Sequence, residues 1–103
     1  MDEELYKKVP ISNLILFGVF AVKKEECTFE ELVKECFKYF PKAFSFSTIS
    51  KWPDSRKLDR PLRLLRKKKL ISGDPKTNFS LTKSGKKIAE DVFKTFRQEK
   101  LKI

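Results

Sequence analysis

A row of like charges marks the stretch between residues 54 and 71. On a helical wheel of about 100° per residue, four basic side chains fall on one arc and three leucines on the opposite arc. The basic residues are Arg56, Arg60, Arg63 and Lys67, and the leucines are Leu58, Leu62 and Leu65. Like charges at these spacings repel one another along a helix. A polyanion lying against the row would relieve that repulsion, so this is a candidate nucleic-acid-binding helix, although many basic faces are simply solvated.

The beginning of this helix has two solutions. Asp54 is a good N-terminal cap for a helix that starts at Ser55. Pro61 would then lie inside the helix, where it removes a hydrogen bond and clashes with the preceding turn. The helix either starts later, near Leu58 to Arg60, or starts at Ser55 and kinks, and the sequence leaves both open.

Charge is distributed unevenly along the 103 residues, whose net charge is +10. Residues 1–40 contain 6 Lys and Arg against 8 Asp and Glu, whereas residues 41–103 contain 18 against 6. Such asymmetry favours a polyanionic partner, either nucleic acid or an anionic membrane surface. The membrane is the weaker alternative, because the leucines opposite the basic face are needed for the core. The longest apolar run, residues 14–22, is far short of a membrane span.

Residue types argue against catalysis and metal binding. The chain has no His, and its two Cys cannot complete a four-ligand zinc site. It contains no Gly-rich phosphate loop and no nucleophile elbow. Carboxylates cluster at residues 2–4, 25–26 and 30–31, as is typical of chain ends and helix starts. We expect neither an enzyme nor a cofactor; a metal-dependent nuclease site built from scattered carboxylates is the remaining alternative.

The composition predicts one cytoplasmic domain over residues 1–103. Its length fits a single domain, with 40% apolar and 37% charged residues. The acidic N-terminus is unlike a signal peptide, and two Cys are few for a small secreted scaffold. Residues 1–9 are expected to be a flexible N-terminus, and residues 97–103 are a candidate extension of the C-terminal helix.

Two helices are predicted before the basic stretch. Residues 10–24 are apolar on all sides over much of their length, so a helix there should be central and covered by others. Residues 28–40 carry a capping box in which Thr28 caps and Glu31 reaches back to its amide. Cys27 is expected as the staple residue before that cap, and Cys36 as a small core residue.

The connector between residues 42 and 53 is too apolar for a free linker. Phe44 and Phe46 alternate with serines as in a short strand. Packing on the body is the favoured use of these aromatics. An exposed subset is a candidate surface for a protein partner or for stacking on bases. The residues considered are Phe44, Phe46 and Trp52.

Beyond the basic helix, the pattern predicts a small hairpin and a final helix. Residues 70–72 and 79–81 are β-compatible, and residues 73–78 are nearly all turn formers. Thr82 or Ser84 caps the last helix, whose apolar stripe exceeds what one helix needs to cover a small core. We therefore expect a homodimer through this helix. The dimer residues would be Val92, Phe93, Phe96 and Leu101.

The order helix, helix, connector, basic helix, hairpin, helix resembles the winged helix-turn-helix family. The local sequence is similar too, since the family's third helix runs apolar-x-x-small-Leu-x-x-Leu. Its places are taken by Leu58, Pro61, Leu62 and Leu65. Residues 79–85, Phe-Ser-Leu-Thr-Lys-Ser-Gly, resemble the aromatic-x-Leu-Thr-x-x-Gly segment of regulators of the multiple-antibiotic-resistance and phenolic-acid-regulator kind. Two positions depart from the pattern, with Lys69 in place of Gly and Pro61 in place of Ala.

The resemblance implies a mainly α-helical winged helix-turn-helix fold that binds double-stranded DNA as a transcription regulator. The third helix would enter the major groove, and the hairpin, or wing, would touch the backbone or minor groove. Base contacts carried over by position fall to Arg56, Lys57, Asp59, Arg60 and Arg63. Phosphate and wing contacts fall to Ser55, Arg66, Lys67, Lys68, Lys76, Thr77, Asn78 and Lys83. The alternatives are a protein-interaction adaptor on the same fold and a non-specific nucleic-acid binder, including an RNA binder.

Overall fold

The chain folds into helices and one small sheet in the computed structural model, which describes residues 3–49 and 51–101 and their side chains except those at positions 3 and 99–101. In chain order the elements are α1 (Glu3–Tyr6), α2 (Ile11–Val22), β1 (Cys27–Thr28), α3 (Phe29–Tyr39), α4 (Pro41–Phe44), α5 (Arg56–Lys67), β2 (Ile71–Gly73), β3 (Asn78–Leu81) and α6 (Lys83–Leu101). The strands form one antiparallel sheet in the order β1-β3-β2. The protein is therefore mainly α-helical with a small β component, as predicted at that level. No helix within the described ranges has the length and apolar character required to cross a membrane.

Helix α2 is the centre of the core. Every residue from Leu14 to Val19 is buried, and the helix packs against α3, α5 and α6. A helix that is apolar on all sides needs such cover, so the predicted central position is confirmed. Gly18 permits a close approach of α3, because a Cβ there would lie only 2.7 Å from Sγ of Cys36. Cys36 is fully buried at this contact and serves as the small core residue that was expected.

The capping box predicted at the start of α3 is present. The N–H of Glu31 donates to Oγ1 of Thr28 over 3.2 Å, and the N–H of Thr28 donates to Oε1 of Glu31 over 3.1 Å. The Glu31 carboxylate also pairs with Lys24, and that hydrogen bond is the main reason that the pKa of Glu31 lies below its usual value. Two of the free amides at this helix end are thus satisfied by side chains only three residues apart.

Strand β1 is an element that the sequence pattern does not predict. Cys27 pairs with Phe79, and Thr28 pairs with Asn78, in antiparallel register. A strand of two residues is too short to show an alternating pattern. It exists because β3 lies beside it, so the predicted hairpin becomes a three-stranded sheet.

The connector does not contain the short strand that its alternation suggests. Residues Pro41–Phe44 form α4 instead, with Pro41 at the start of the helix, where proline is tolerated. The only strand-like contact in residues 42–49 and 51–53 is an isolated antiparallel bridge between Ser45 and Pro53. Phe44 is fully buried, with its ring centroid 6.3 Å from that of Phe40. Core packing of this side chain overrides the local alternation.

Residues 3–9, within the segment expected to be a flexible N-terminus, pack against the body of the protein. They contain α1, and Tyr6 is only 3% exposed, with its ring centroid 5.1 Å from that of Phe40. The Tyr6 hydroxyl accepts a hydrogen bond from the N–H of Lys42 over 3.2 Å. An aromatic ring with a satisfied polar end anchors this segment to the body.

Helix α5 begins within one residue of the earlier predicted start, and a kink at Pro61 stays a prediction. It runs from Arg56 to Lys67 with Pro61 inside it, so the late start does not occur. Asp54 performs the expected capping chemistry, because its Oδ1 accepts the N–H of Arg56 over 3.1 Å. Proline has no N–H, so the helical hydrogen bond to the carbonyl of Lys57 is missing.

The end of α5 is formed by a lysine in a conformation that favours glycine. Lys69 has φ of 61°, in the left-handed region. The N–H of Leu70 donates to the carbonyl of Leu65 over 2.9 Å, and the N–H of Lys69 donates to that of Arg66 over 3.0 Å. These two bonds are the Schellman pattern, which usually has Gly at the left-handed position. The left-handed turn therefore forms here with lysine at the position that usually has glycine.

We expect Lys69→Gly to raise the free energy of unfolding by about 1 kcal/mol, because glycine adopts the left-handed conformation without steric cost. Urea unfolding followed by circular dichroism measures the change. The matched control is Lys68→Gly, which removes the same charge at a residue with φ of −80° and should lower stability. Equal effects of the two substitutions would contradict this account of the turn.

The hairpin and α6 follow the predicted order. Ile71 pairs with Leu81 and Gly73 with Phe79 in the hairpin. Of the two candidate caps for α6, the structure uses Thr82, whose Oγ1 accepts the N–H of Gly85 over 3.1 Å. The helix continues to Leu101, which includes most of the candidate extension; residues 102–103 lie outside the described part of the chain.

Candidate nucleic-acid interface

Helix α5 separates its apolar and basic faces as the helical wheel predicts. The three leucines on one side are at most 2% exposed: Leu58, Leu62 and Leu65. The four basic residues of the opposite arc are exposed: Arg56, Arg60, Arg63 and Lys67. The helix packs against α2 and β2. Its leucines therefore anchor it to the core and leave the basic face in solvent.

Most cations on and just after α5 have no carboxylate partner. Among the residues that the structure describes, the ion pairs join Lys24 to Glu31, Arg56 to Asp54 and Arg63 to Asp59. None of them neutralises the exposed cations Arg60, Arg66, Lys67 and Lys68. Unpaired charges this close together create a positive potential that attracts a polyanion.

Arg63 and Asp59 form the weakest of these pairs. The distance from Nη2 of Arg63 to Oδ2 of Asp59 is 3.4 Å, and both side chains are about two-thirds exposed. An exposed pair of this kind contributes little and yields readily to a competing anion. Asp59 also borders a cleft of about 270 Å³ together with Pro75 and Lys76. The start of α3 contributes Phe29 and Glu30 to the same cleft, which therefore lies between α3, the first half of α5 and the hairpin turn.

Arg56 is exposed but held in place by Asp54 and Phe46. Its Nε and Nη2 donate to Oδ1 and Oδ2 of Asp54 over 3.0 and 3.2 Å, and its guanidinium carbon lies 5.3 Å from the ring centroid of Phe46. The hydrogen bond to Arg56 is the main reason that the pKa of Asp54 is lowered. This contribution to stability is complete above the ordinary aspartate pKa and is lost as the pH falls through the lowered value.

Lys57 is engaged in the structure rather than presented on the basic face. Its Nζ donates to the carbonyl of Ser45 over 2.6 Å, and the side chain is half-buried. The ammonium group therefore fastens the connector to α5. The assignment of Lys57 to base contact is not supported by this placement, because its ammonium is held at the connector and the side chain is half-buried.

Asp74 organises the hairpin turn that holds the predicted wing residues. Its Oδ1 accepts the N–H of Lys76 over 2.9 Å, and its carbonyl accepts the N–H of Thr77 over 2.9 Å. The N–H of Asp74 donates to the carbonyl of Asn78 over 3.1 Å. These hydrogen bonds explain the presence of an acidic residue at the hairpin tip, because Asp74 holds the turn in shape. Lys76, Thr77 and Asn78 are exposed, as are Ser55 and Lys83 at the starts of their helices.

The aromatic surface of the connector differs from the predicted one. Phe44 cannot contact a partner because it is fully buried, so its assignment is wrong. Phe46 is half-buried beneath Arg56. Trp52 is 59% exposed and Ile49 is 44% exposed. The exposed apolar surface of the connector therefore consists of Trp52 and Ile49. Trp52 is one of the predicted partner residues, and Ile49 is not.

The predicted dimer surface on α6 is mostly core. Val92 and Phe96 are 6% and 5% exposed, and the Phe96 ring centroid lies 5.6 Å from that of Phe17. These two assignments are wrong, because the side chains are covered within the monomer. Phe93 remains as a surface candidate at 47% exposure. The side chain of Leu101 lies outside the described residues.

Both cysteine thiols are buried, and neither belongs to a metal-binding cluster in the described residues. No group of three or more His, Cys, Asp or Glu side chains in these ranges has the geometry to hold a metal ion. Burial raises the pKa of the Cys27 thiol to about 12, so the thiol is protonated at neutral pH and weakly nucleophilic. Burial also raises the pKa of Cys36.

No protein-family model, curated protein or solved structure matches this chain. Its function is therefore inferred from the charges and contacts described above. The most informative of these is the exposed basic face of α5, together with the hairpin turn beside it.

Proposed function

We propose that this protein is a winged-helix domain that binds double-stranded DNA and acts as a transcription regulator. The observation that carries the proposal is the group of exposed cations on and just after α5, of which Arg60, Arg66, Lys67 and Lys68 have no carboxylate partner among the described residues. The element order supports it, since α2, α3 and α5 are followed by the hairpin and β1 completes a three-stranded sheet. In that fold, α5 is the recognition helix and the turn between β2 and β3 is the wing.

Contacts to DNA divide by where each side chain lies. Arg60 and Arg63 are exposed on α5, and we assign them to base edges in the major groove. Arg66, Lys67 and Lys68 lie at the end of the helix and suit phosphates, which fix the register of the protein on the duplex. Lys76 brings the hairpin turn to the phosphates beside the same groove.

Salt dependence tests this proposal. Four exposed cations are assigned to phosphates: Arg66, Lys67, Lys68 and Lys76. If each neutralises one phosphate, affinity for a duplex should fall about a hundredfold between about 50 and about 200 mM salt, because counterions are released on binding. Fluorescence anisotropy with a labelled duplex measures the slope. Binding that does not respond to salt would refute the proposal, and tighter binding to duplex RNA or to single strands would favour the RNA alternative.

A matched pair of variants locates the contacts. Lys67→Gln with Lys68→Gln should reduce the salt slope by about 2, because two phosphate contacts are lost. Lys34→Gln with Lys38→Gln removes the same charge from exposed positions of α3 and should leave the slope unchanged. The proposed surface would be wrong if the α3 variant had the larger effect.

A protein-interaction adaptor is the second candidate, and the exposed side chains of Trp52 and Ile49 favour it. Tryptophan is enriched where protein surfaces bind one another, because a large ring is removed from water on contact. The two residues lie on the connector and not on the basic arc of α5. Variants that separate the two functions are therefore available.

A further inference from the structure

The start of α5 contains an arginine held by a carboxylate that is itself buried. Asp54 is 5% exposed, and its N–H donates to the carbonyl of Phe44 over 2.6 Å. Its carboxylate accepts three hydrogen bonds from Arg56, from the backbone N–H, Nε and Nη2, over 3.1, 3.0 and 3.2 Å. Asp54 is thus positioned by its burial and by its backbone hydrogen bond to Phe44. Its carboxylate in turn positions the guanidinium of Arg56.

The remaining contacts also help to position that guanidinium. It lies over the ring of Phe46, with 5.3 Å between the guanidinium carbon and the ring centroid. The connector that carries Phe46 is itself fastened, by Lys57 to the carbonyl of Ser45 and by the N–H of Phe46 to the carbonyl of Trp52. The Arg56 side chain is nevertheless 78% exposed. It is therefore accessible and oriented at the same time.

The geometry of the pair leaves one particular edge of the guanidinium open. A guanidinium is planar and presents its donors in a fixed fork. Asp54 occupies the edge formed by Nε and Nη2. The edge formed by Nη1 and Nη2 has no partner among the described residues. That edge carries the two parallel N–H groups that match the O6 and N7 acceptors of guanine in the major groove.

We propose that Asp54 and Phe46 are positioning residues that hold Arg56 to read a guanine through O6 and N7. This inference rests on the proposed DNA-binding function and adds to it a base and a site. Holding the side chain before binding removes much of the ordering cost from the binding step. Arg60, for which the described part of the chain offers no partner, is by contrast free to adapt to a phosphate or to another base.

Selection of bound sequences from a random duplex library tests the assignment. The sequence motif selected by the wild-type protein should contain a guanine. The preference for guanine over the other bases at that position should fall about tenfold or more in Arg56→Ala and in Asp54→Asn, since a bidentate contact gives about this discrimination. Asp59→Asn is the matched control, because it removes the same charge and breaks the other Asp–Arg pair of α5. The guanine assigned to Arg56 should persist in Asp59→Asn.

A second measurement separates positioning from folding. The base 7-deazaguanine lacks the N7 acceptor. With this base at that position, the wild-type protein should lose about tenfold in affinity. Asp54→Asn should lose little affinity beyond the loss that it already shows with guanine. Phe46→Leu keeps the hydrogen bonds of Asp54 and should give an intermediate loss of guanine preference. A weakened helix start would lower binding to every sequence equally and would not change the response to 7-deazaguanine.

The outcomes are distinct. An equal response of wild type and Asp54→Asn to 7-deazaguanine would overturn the positioning role, and a guanine preference that survives Arg56→Ala would overturn the assignment to Arg56. Duplex binding without any sequence motif would overturn the guanine site and leave the proposed DNA binding intact. Failure of the wild type to bind duplex DNA at all would defeat both.

Discussion

Reversing two charges on α5, in Arg60→Glu with Arg63→Glu, is expected to lower affinity for duplex DNA by about a hundredfold to a thousandfold at about 0.1 M salt. Arg60 has no partner among the described residues, and Arg63 has only the long contact to Asp59. Each reversal replaces an attraction to phosphate or base by a repulsion. Titration of a labelled duplex, with anisotropy as the signal, measures the loss.

The double variant should still fold. Both side chains are exposed, and such substitutions usually change the free energy of unfolding by about 0.5 kcal/mol or less. Lys34→Glu with Lys38→Glu makes the same change in net charge on exposed positions of α3. It should lose less than about tenfold, because only long-range, screened charge effects remain. Equal losses in the two variants would show that net charge, and not the α5 face, carries DNA binding.

The same variants separate DNA binding from the adaptor function. A protein partner that contacts Trp52 and Ile49 should be lost in Trp52→Ala and retained in the Arg60 and Arg63 double variant. DNA binding through α5 should show the reverse pattern. Retention of full DNA affinity in the double variant would refute the proposed interface.

Elements whose determinants lie close together in sequence are predictable here. The capping box needs only Thr28 and Glu31, and both hydrogen bonds form between residues three apart. The two faces of α5 follow from spacing alone, because burial of Leu58, Leu62 and Leu65 needs only some core on that side. The left-handed turn at Lys69 is less predictable, because the glycine that usually marks such a turn is absent.

Elements created by distant residues are not predictable in this way. Strand β1 exists because Phe79 and Asn78 lie beside it, some fifty residues further along the chain. The buried position of Phe44 depends on Phe40 and the body, and it turns an apparent strand into α4. Tyr6 is buried for the same kind of reason.

The candidate site shows the same division. The positions of its cations on one side of α5 are readable from the sequence, but their partners are not. Arg56 and Lys57 are drawn towards Phe46 and Ser45 because the connector returns across the start of the helix, and no local pattern indicates that path. On α6, the neighbouring elements do not cover the whole apolar stripe. Phe93 is exposed, whereas Val92 and Phe96 are buried.

Gly85→Ala is expected to lower the free energy of unfolding by about 3 kcal/mol or more, through overpacking and lost hydrogen bonds. A Cβ at this position would lie 2.0 Å from the carbonyl oxygen of Leu70 and 3.0 Å from its carbonyl carbon. Both are backbone atoms, so no side chain can rotate away. The first turn of α6 would have to separate from the turn that ends α5.

That separation would break the junction between the two elements. The N–H of Thr82 donates to the carbonyl of Leu70 over 3.1 Å, and Oγ1 of Thr82 donates to the carbonyl of Lys69 over 2.8 Å. The higher helix propensity of alanine recovers at most about 1 kcal/mol and does not offset these losses. Against a typical total of about 5–15 kcal/mol, the variant would keep only a reduced margin of stability.

Urea unfolding gives the free energy of unfolding of Gly85→Ala and of a control variant at the adjacent position, Ser84→Ala. Ser84 is exposed and makes no hydrogen bond through its side chain among the described residues, so its substitution should change stability by about 0.5 kcal/mol or less. A loss below about 1 kcal/mol in Gly85→Ala would mean that α6 can move away from Leu70 at little cost. The position of the hairpin beside α5 would then not depend on this junction, and the placement of Lys76 next to the basic face would need another cause.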